Sequence, residues 1–113
     1  MLANEIRANL AHLSRELSEL LADYQEANRA KAKADQAHKV AFARAYLDAG
    51  GNMEERKQTA ILATSDEAYA AEIAQVEFDN LRAALRVLGQ RLDAGRTIAS
   101  AVRAEGIASG VTG

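Results

Sequence analysis

The segment Phe78-Asp-Asn-Leu-Arg-Ala-Ala-Leu-Arg-Val-Leu-Gly-Gln-Arg-Leu92 carries large apolar residues at alternating intervals of three and four. In an α-helix, residues three and four apart lie on the same face. The same line continues through Gly95, Ala99 and Val102. This spacing predicts a long helix over about residues 66–105, with one apolar stripe that another element must cover.

An earlier stretch repeats the pattern through Leu10, Leu13, Leu17, Leu20 and Tyr24, and predicts a first helix over about residues 2–49. Continued in the same register, the next core positions fall on polar residues. The apolar heptad therefore ends near residue 30, which leaves room for a kink or break near residues 29–34. Beyond this point, alanines at intervals of three and four favour a closely approaching neighbour.

Between these two helices, glycines and capping residues predict a short connecting helix over residues 53–63. Gly50 and Gly51 end the first helix, because glycine tolerates a left-handed cap. Asn52 with Glu55 resembles a capping box, and Thr64 with Glu67 predicts a second cap. We expect an all-α, coiled-coil-like antiparallel helical hairpin, one domain over residues 1–105 with a flexible tail over residues 106–113.

The charges fall into four alternating blocks along the chain. Residues 1–28 hold five acids and two bases, and residues 29–47 hold five bases and one acid. Residues 48–80 hold eight acids and two bases, and residues 81–113 hold five bases and two acids. A hairpin therefore sets each acidic block against a basic one. Each exposed pair contributes about 0–1 kcal/mol, but their joint effect favours antiparallel pairing.

Apolar surface left exposed near residues 10–21 and 81–92 predicts a homo-oligomer formed by helix packing. There is no cysteine, so disulfides and thiolate chemistry are excluded. No apolar stretch approaches the about 20 residues of a membrane helix, and we expect a cytoplasmic protein without membrane partners.

Neither histidine sits in a pattern typical of a metal or catalytic site. His12 has Glu16 four residues on, and His38 has Asp35 three residues before it. The paired Glu-x-x-His motifs of di-metal bundles are absent, as are catalytic triads and glycine-rich phosphate loops. We expect no catalytic residue, no metal and no cofactor, and therefore no enzyme.

The first basic block has two interpretations. In one, its cations follow a phosphate backbone, as Arg82, Arg86, Arg96 and Arg103 of the last block could also do; in the other, they pair internally with the acidic blocks. Single-strand binders also use aromatic stacking, and only Phe42 and Tyr46 lie within a basic block. The candidate contact residues of this block are Arg29, Lys31, Lys33, Lys39 and Arg44.

The segment Arg91-Leu-Asp-Ala-Gly-Arg-Thr97 is the least generic part of the chain. Gly89 and Gly95 each cost about 1 kcal/mol relative to alanine inside a helix. One interpretation is a close helix crossing at Gly95 or a frayed end beginning there. The other is a contact surface formed by Arg91, Arg96 and Thr97.

Two segments together resemble a protein family. The first is Ala41-Phe-Ala-Arg-Ala-Tyr-Leu47, followed by Gly51 and Glu55-Arg-Lys57; the second is Asp93-Ala-Gly-Arg-Thr97, followed by Ser100-Ala-Val-Arg-Ala-Glu105. They are similar to short all-helical proteins of tailed phages and prophages, encoded in early regions beside recombination genes. Some of those proteins are likened to recombination mediators that load a recombinase onto single-stranded DNA. The resemblance implies contact roles for Arg44, Arg56, Lys57, Arg96 and Thr97.

The sequence therefore predicts a non-enzymatic helical accessory protein of phage DNA metabolism, acting on single-stranded DNA or a recombinase in the host cytoplasm. The first alternative is a helical module that binds a host protein, for instance to counter a defence system. The second alternative is a self-assembling structural coiled coil.

Overall fold

The computed structural model describes residues 2–108, with side chains through Gly106. Three helices carry the described chain: α1 (Leu2–Asp48), α2 (Met53–Ala63) and α3 (Ser65–Ala108). The predicted all-α hairpin with a short connecting helix is confirmed. Helix α3 extends through Ala108, so residues 106–108 are helical and not part of a tail. The rest of the predicted tail lies outside the described residues.

Helix α1 is unbroken, and no interruption falls at residues 29–34. Alanine, lysine and arginine are strong helix formers, so the backbone stays helical where the apolar repeat ends. Lys31 and His38 are both half-buried at the core positions that the first register assigns them. The apolar repeat thus ends near residue 30 as expected, but the helix and its register continue with polar residues at the core positions, so the expected kink or break does not occur.

The turn between α1 and α2 depends on one glycine and one cap. Gly51 has a φ of 95°, in the left-handed region that favours glycine. Asn52 is extended, and its side-chain oxygen accepts a hydrogen bond from the backbone N–H of Glu55 at 2.9 Å. The predicted ends of α1 and α2 are thus confirmed at this turn.

Thr64 joins α2 to α3 in a different way from the predicted cap. Its buried hydroxyl donates to the carbonyl of Ala60 at 2.7 Å, and its backbone N–H donates to the same oxygen at 3.1 Å. The side chain thus closes the end of α2, whereas its carbonyl accepts the first α3 bond, from Ala68. The prediction that the Thr64 hydroxyl caps α3 with Glu67 is wrong, because that hydroxyl bonds backwards.

The chain divides into two compact units. Unit 1 contains residues 1–23 and 82–113, and unit 2 contains residues 24–81. The prediction of one domain is not tested by this division and stays a prediction.

In unit 1, leucines of α1 and α3 form the core. Leu13, Leu88 and Leu92 are buried, and Leu10, Leu17 and Leu20 pack against them. Leu10 lies against Gly95, whereas Ile6 shares a cavity lining with Val102, so the two helices run antiparallel. Because these leucines are covered, the apolar surface expected at residues 10–21 and 81–92 is largely internal to the unit.

In unit 2, small residues and one aromatic pair form the core. Ala27, Ala60 and Ala71 are buried, as expected for closely approaching helices. The rings of Tyr24 and Phe78 stack with centroids 5.0 Å apart. The α3 line continues back from Phe78 through buried or half-buried residues to Thr64. Ile73 and Val76 lie off this line and are exposed, so they do not widen the buried face as expected.

Candidate functional site

The ion pairs of the described residues all join side chains of one helix. His12 pairs with Glu16 at 3.7 Å, Lys31 with Asp35 at 3.2 Å, and Arg96 with Asp93 at 3.5 Å. The basic block 29–47 and the acidic segment 66–79 do belong to the same unit. Within the described residues, however, they form no direct ion pair. The prediction that pairing between the helices occupies the basic block is therefore wrong at ion-pair distance.

The ten predicted contact residues do not form one site. Seven belong to unit 2 and three to unit 1. The unit 2 set is Arg29, Lys31, Lys33, Lys39, Arg44, Arg56 and Lys57, and the unit 1 set is Arg91, Arg96 and Thr97.

Two of the unit 2 residues have structural contacts. The Lys31 ammonium bonds Asp35 and lies 5.8 Å from the centroid of the Phe78 ring, a cation–π distance. The Nε–H of Arg56 donates to the carbonyl of Gly51 at 3.0 Å, across the α1–α2 turn. Both side chains are half-buried and make these contacts within unit 2, and their predicted contact roles stay predictions.

The unit 1 residues surround a close helix crossing. A Cβ added at Gly95 would lie 2.7 Å from Cδ2 of Leu10, which confirms the interpretation of Gly95 as a crossing point. Arg96 pairs with Asp93, and the Thr97 hydroxyl donates to the Asp93 carbonyl at 3.0 Å. Arg91 is exposed, and its predicted contact role stays a prediction.

Four cations remain on the exposed side of α1 in unit 2: Arg29, Lys33, Lys39 and Arg44. Within residues 2–106, no carboxylate lies at ion-pair distance from any of them. Their exposed neighbours on the same side include Val40 and Leu47. We call these six residues the basic outer face. Its middle, along Arg29 and Leu47, lies nearly half a turn from the core line through Ala27 and Ala34. Lys39 lies at one edge of the face, and Lys33 and Arg44 lie towards the other.

The apolar part of this face was not predicted from the sequence. Arg29, Lys33, Gln36, Val40, Ala43 and Leu47 follow one another at intervals of four and three. This second heptad line runs along the side of α1 opposite the first. Its mixture of apolar and charged residues gives no clear apolar pattern in the sequence. Leu47 is 74% exposed and Val40 is 37% exposed, so the face combines cations with apolar surface.

The two aromatics of the basic block stack on one another. The rings of Phe42 and Tyr46 have centroids 6.4 Å apart and an interplanar angle of 25°. Both side chains are half-buried. Lys39 lies three residues before Phe42 and seven before Tyr46, on the adjoining part of the helix surface. The pair thus adds a small aromatic surface at the edge of the basic outer face.

Other kinds of site have little support in the described residues. Residues 2–106 contain no group of three or more His, Asp or Glu side chains placed to hold a metal. A cavity of 270 Å³ in unit 1 has an apolar lining that includes Ile6, Leu10 and Val102, with Arg7 and Arg103 beside it. Its lining includes these two arginines and contains no histidine or carboxylate.

None of the described helices is both long and apolar enough to span a membrane.

Comparison with known proteins assigns no family. No protein-family model matches the chain, and no curated protein or solved structure matches it either. The resemblance to phage proteins therefore stays a prediction, and the function is argued from the basic outer face.

Proposed function

We propose that the protein is a non-enzymatic helical accessory protein of phage DNA metabolism that binds single-stranded DNA through the basic outer face. The phage setting and the link to recombination rest on the resemblance of residues 41–57 and 93–105. The binding proposal rests on one structural observation. The four cations of this face are exposed and have no carboxylate partner in the described residues.

The spacing of these cations suits a phosphate backbone. Arg29 and Lys33 are four residues apart and share one side of α1. Val40 and Arg44 are also four residues apart and lie on the same side, about two turns beyond Lys33. From Arg29 to Arg44 the helix rises about 22 Å. Cations distributed over this length can meet several successive phosphates, and such contacts carry affinity without sequence preference.

The affinity is expected to depend strongly on salt. Each phosphate that a cation neutralises on a single strand contributes about −0.7 to the slope of log K against log salt concentration. Four contacts therefore give a slope of about −3. The half-buried rings of Phe42 and Tyr46 offer limited stacking, so electrostatics is expected to supply most of the affinity.

Fluorescence anisotropy of a labelled single-stranded oligonucleotide tests the proposal. The triple variant Arg29→Ala, Lys33→Ala and Arg44→Ala should weaken binding and reduce the magnitude of the salt slope by about 2. The matched control replaces three exposed arginines outside the face: Arg15, Arg82 and Arg86. Wild-type protein that does not bind at low salt, or two triple variants that weaken equally, would contradict the proposal.

The exposed apolar residues favour a second candidate, a helical module that binds a host protein. Tyr69, Ile73 and Val76 form an uncovered apolar line on α3. This function predicts that one dominant host protein is captured in a pull-down. Alanine at Arg29, Lys31 and Lys33 should leave that capture unchanged, whereas the loss of Arg29 and Lys33 would weaken a contact that depends on the basic outer face.

A further inference from the structure

Helix α3 carries an exposed apolar line on the side opposite its core. Tyr69, Ile73 and Val76 follow one another at intervals of four and three, and are 65%, 47% and 51% exposed. The core residues Ala71 and Phe78 lie about half a turn away on the same helix. The line therefore has the spacing of a coiled-coil seam and stays exposed in unit 2.

Acidic side chains flank this seam on both sides. At 3.6 residues per turn, Glu72 and Asp79 fall on one side, and Asp66 and Glu77 fall on the other. All four carboxylates are exposed. Asp79 accepts a hydrogen bond from Gln75 at 3.0 Å, and the described residues place no cation at ion-pair distance from any of the four. We call these four acids together with Tyr69, Ile73 and Val76 the acidic outer face.

The basic outer face of α1 also has an apolar line between charged side chains, but its charges are positive. Val40 and Leu47 form its apolar line, with Ala43 between them. Lys39 falls on one side of that line, and Lys33 and Arg44 fall on the other. Flanking charges of this kind select the partner and register of a coiled coil.

We infer that the acidic outer face of one copy packs against the basic outer face of a second copy. The apolar lines cover each other, and the flanking charges meet with opposite sign on both sides. Pairing two basic outer faces, or two acidic ones, sets like charges against one another and is disfavoured. The surfaces thus select a contact between unlike faces.

Such a contact is heterologous, because the two copies use different surfaces. Each copy retains one unused face, so the contact repeats from copy to copy. The second copy and a phosphate backbone also compete for the same cations. The basic outer face can therefore bind either a second copy or single-stranded DNA, but not both at once. The inferred interface does not depend on the proposed DNA binding.

A charge exchange tests the interface. The α1 variant carries Lys33→Glu, Lys39→Glu and Arg44→Glu, and the α3 variant carries Glu72→Lys, Glu77→Lys and Asp79→Lys, so that the net charge of the altered face is reversed in each. Each variant alone has two faces of like charge and should sediment as a monomer of 12.1 kDa. An equimolar mixture should associate, as should the chain that carries all six changes, because faces of opposite net charge meet again. Wild-type protein should have at least twice the monomer mass.

Far-UV circular dichroism checks that each variant keeps its helices. The matched control reverses the charge at Arg15, Arg82 and Arg86, which are exposed residues of unit 1, and should associate as the wild type does. Wild-type protein that remains a monomer would overturn the inference. A mixture of the two variants that remains monomeric although each is folded would do the same.

Cross-linking reports the contact directly, because the natural chain has no cysteine. Under oxidation, a mixture of Val40→Cys and Val76→Cys chains should form mixed dimers at least tenfold faster than either chain forms dimers alone. Equal rates would overturn the pairing of unlike faces.

The two proposals fail in different ways. The α3 variant leaves every residue of the basic outer face intact, so it should lose self-association and keep or gain affinity for a labelled single-stranded oligonucleotide. If the α3 variant loses self-association and does not bind DNA, the proposed function is contradicted and the interface is not. If the wild-type protein binds DNA but remains a monomer, the interface is contradicted and the proposed function is not.

Discussion

The two helical glycines of α3 should respond differently to alanine, because only one of them meets a neighbouring helix. A Cβ at Gly89 would meet nothing within 4 Å, whereas a Cβ at Gly95 would lie 2.7 Å from Cδ2 of Leu10. Alanine stabilises a helix interior by about 1 kcal/mol relative to glycine. We expect Gly89→Ala to raise the free energy of unfolding by about that amount.

For Gly95→Ala the same gain is offset by a displaced side chain. The tip of Leu10 must leave its preferred rotamer, which costs about 0.5–1.5 kcal/mol. The net change is expected to be about zero. In a Leu10→Ala background the obstacle is gone, so Gly95→Ala should again stabilise by about 1 kcal/mol. The double-mutant cycle therefore gives a coupling energy of about 1 kcal/mol between the two positions.

Urea unfolding followed by far-UV circular dichroism measures all of these differences. The matched control repeats Gly89→Ala in the Leu10→Ala background, where the gain should be unchanged. If Gly95→Ala stabilises the wild-type chain as much as Gly89→Ala does, Leu10 does not lie over Gly95. The antiparallel register of unit 1 would then be refuted.

Three further predictions use the same urea assay. Leu92 is 2% exposed, and Leu92→Ala should lower the free energy of unfolding by about 2–5 kcal/mol. Leu62 is exposed, and Leu62→Ala should change it by less than about 0.5 kcal/mol. Similar losses in the two variants would contradict the placement of Leu92 in the core. Gly51→Ala forces a side chain into the left-handed region and should lower the free energy of unfolding by about 1–2 kcal/mol. Gly50→Ala has open space around it and should lower it by less. The reverse order would contradict the left-handed conformation of Gly51. Thr64→Val removes a buried hydroxyl that bonds the end of α2 and should cost about 1 kcal/mol; an unchanged midpoint would show that the bond contributes nothing.

The helices and their ends could be predicted because local chemistry decides them. Spacings of three and four, the lack of proline and the Asn52 cap all act within one or two turns. The apparent break near residue 30 was misleading, because apolarity and helicity are separate properties. Lys31 keeps its place in the register through Asp35 and the face of Phe78. An aromatic contact from another helix leaves no local signal in the sequence.

The candidate site was predicted only in part, because ion pairing depends on where side chains point. Alternating charge blocks indicated pairing between the helices, but Arg29 and Lys33 lie on the side of α1 that faces away from its core line. Ile73 and Val76 were expected to widen the buried face, and they lie on the exposed one. The number of apolar residues along α3 does not distinguish the buried line from the exposed line, which lie half a turn apart on the helix. Exposure in the folded chain separates them.

We propose that the basic outer face binds single-stranded DNA. The most direct measurement is the change in backbone amide chemical shifts when an unlabelled single-stranded oligonucleotide is added to isotopically labelled protein at low salt. We predict that the largest changes fall on α1 between Arg29 and Leu47 and disappear as salt is raised. Changes concentrated at residues 82–103, or no change at low salt, would contradict the claim.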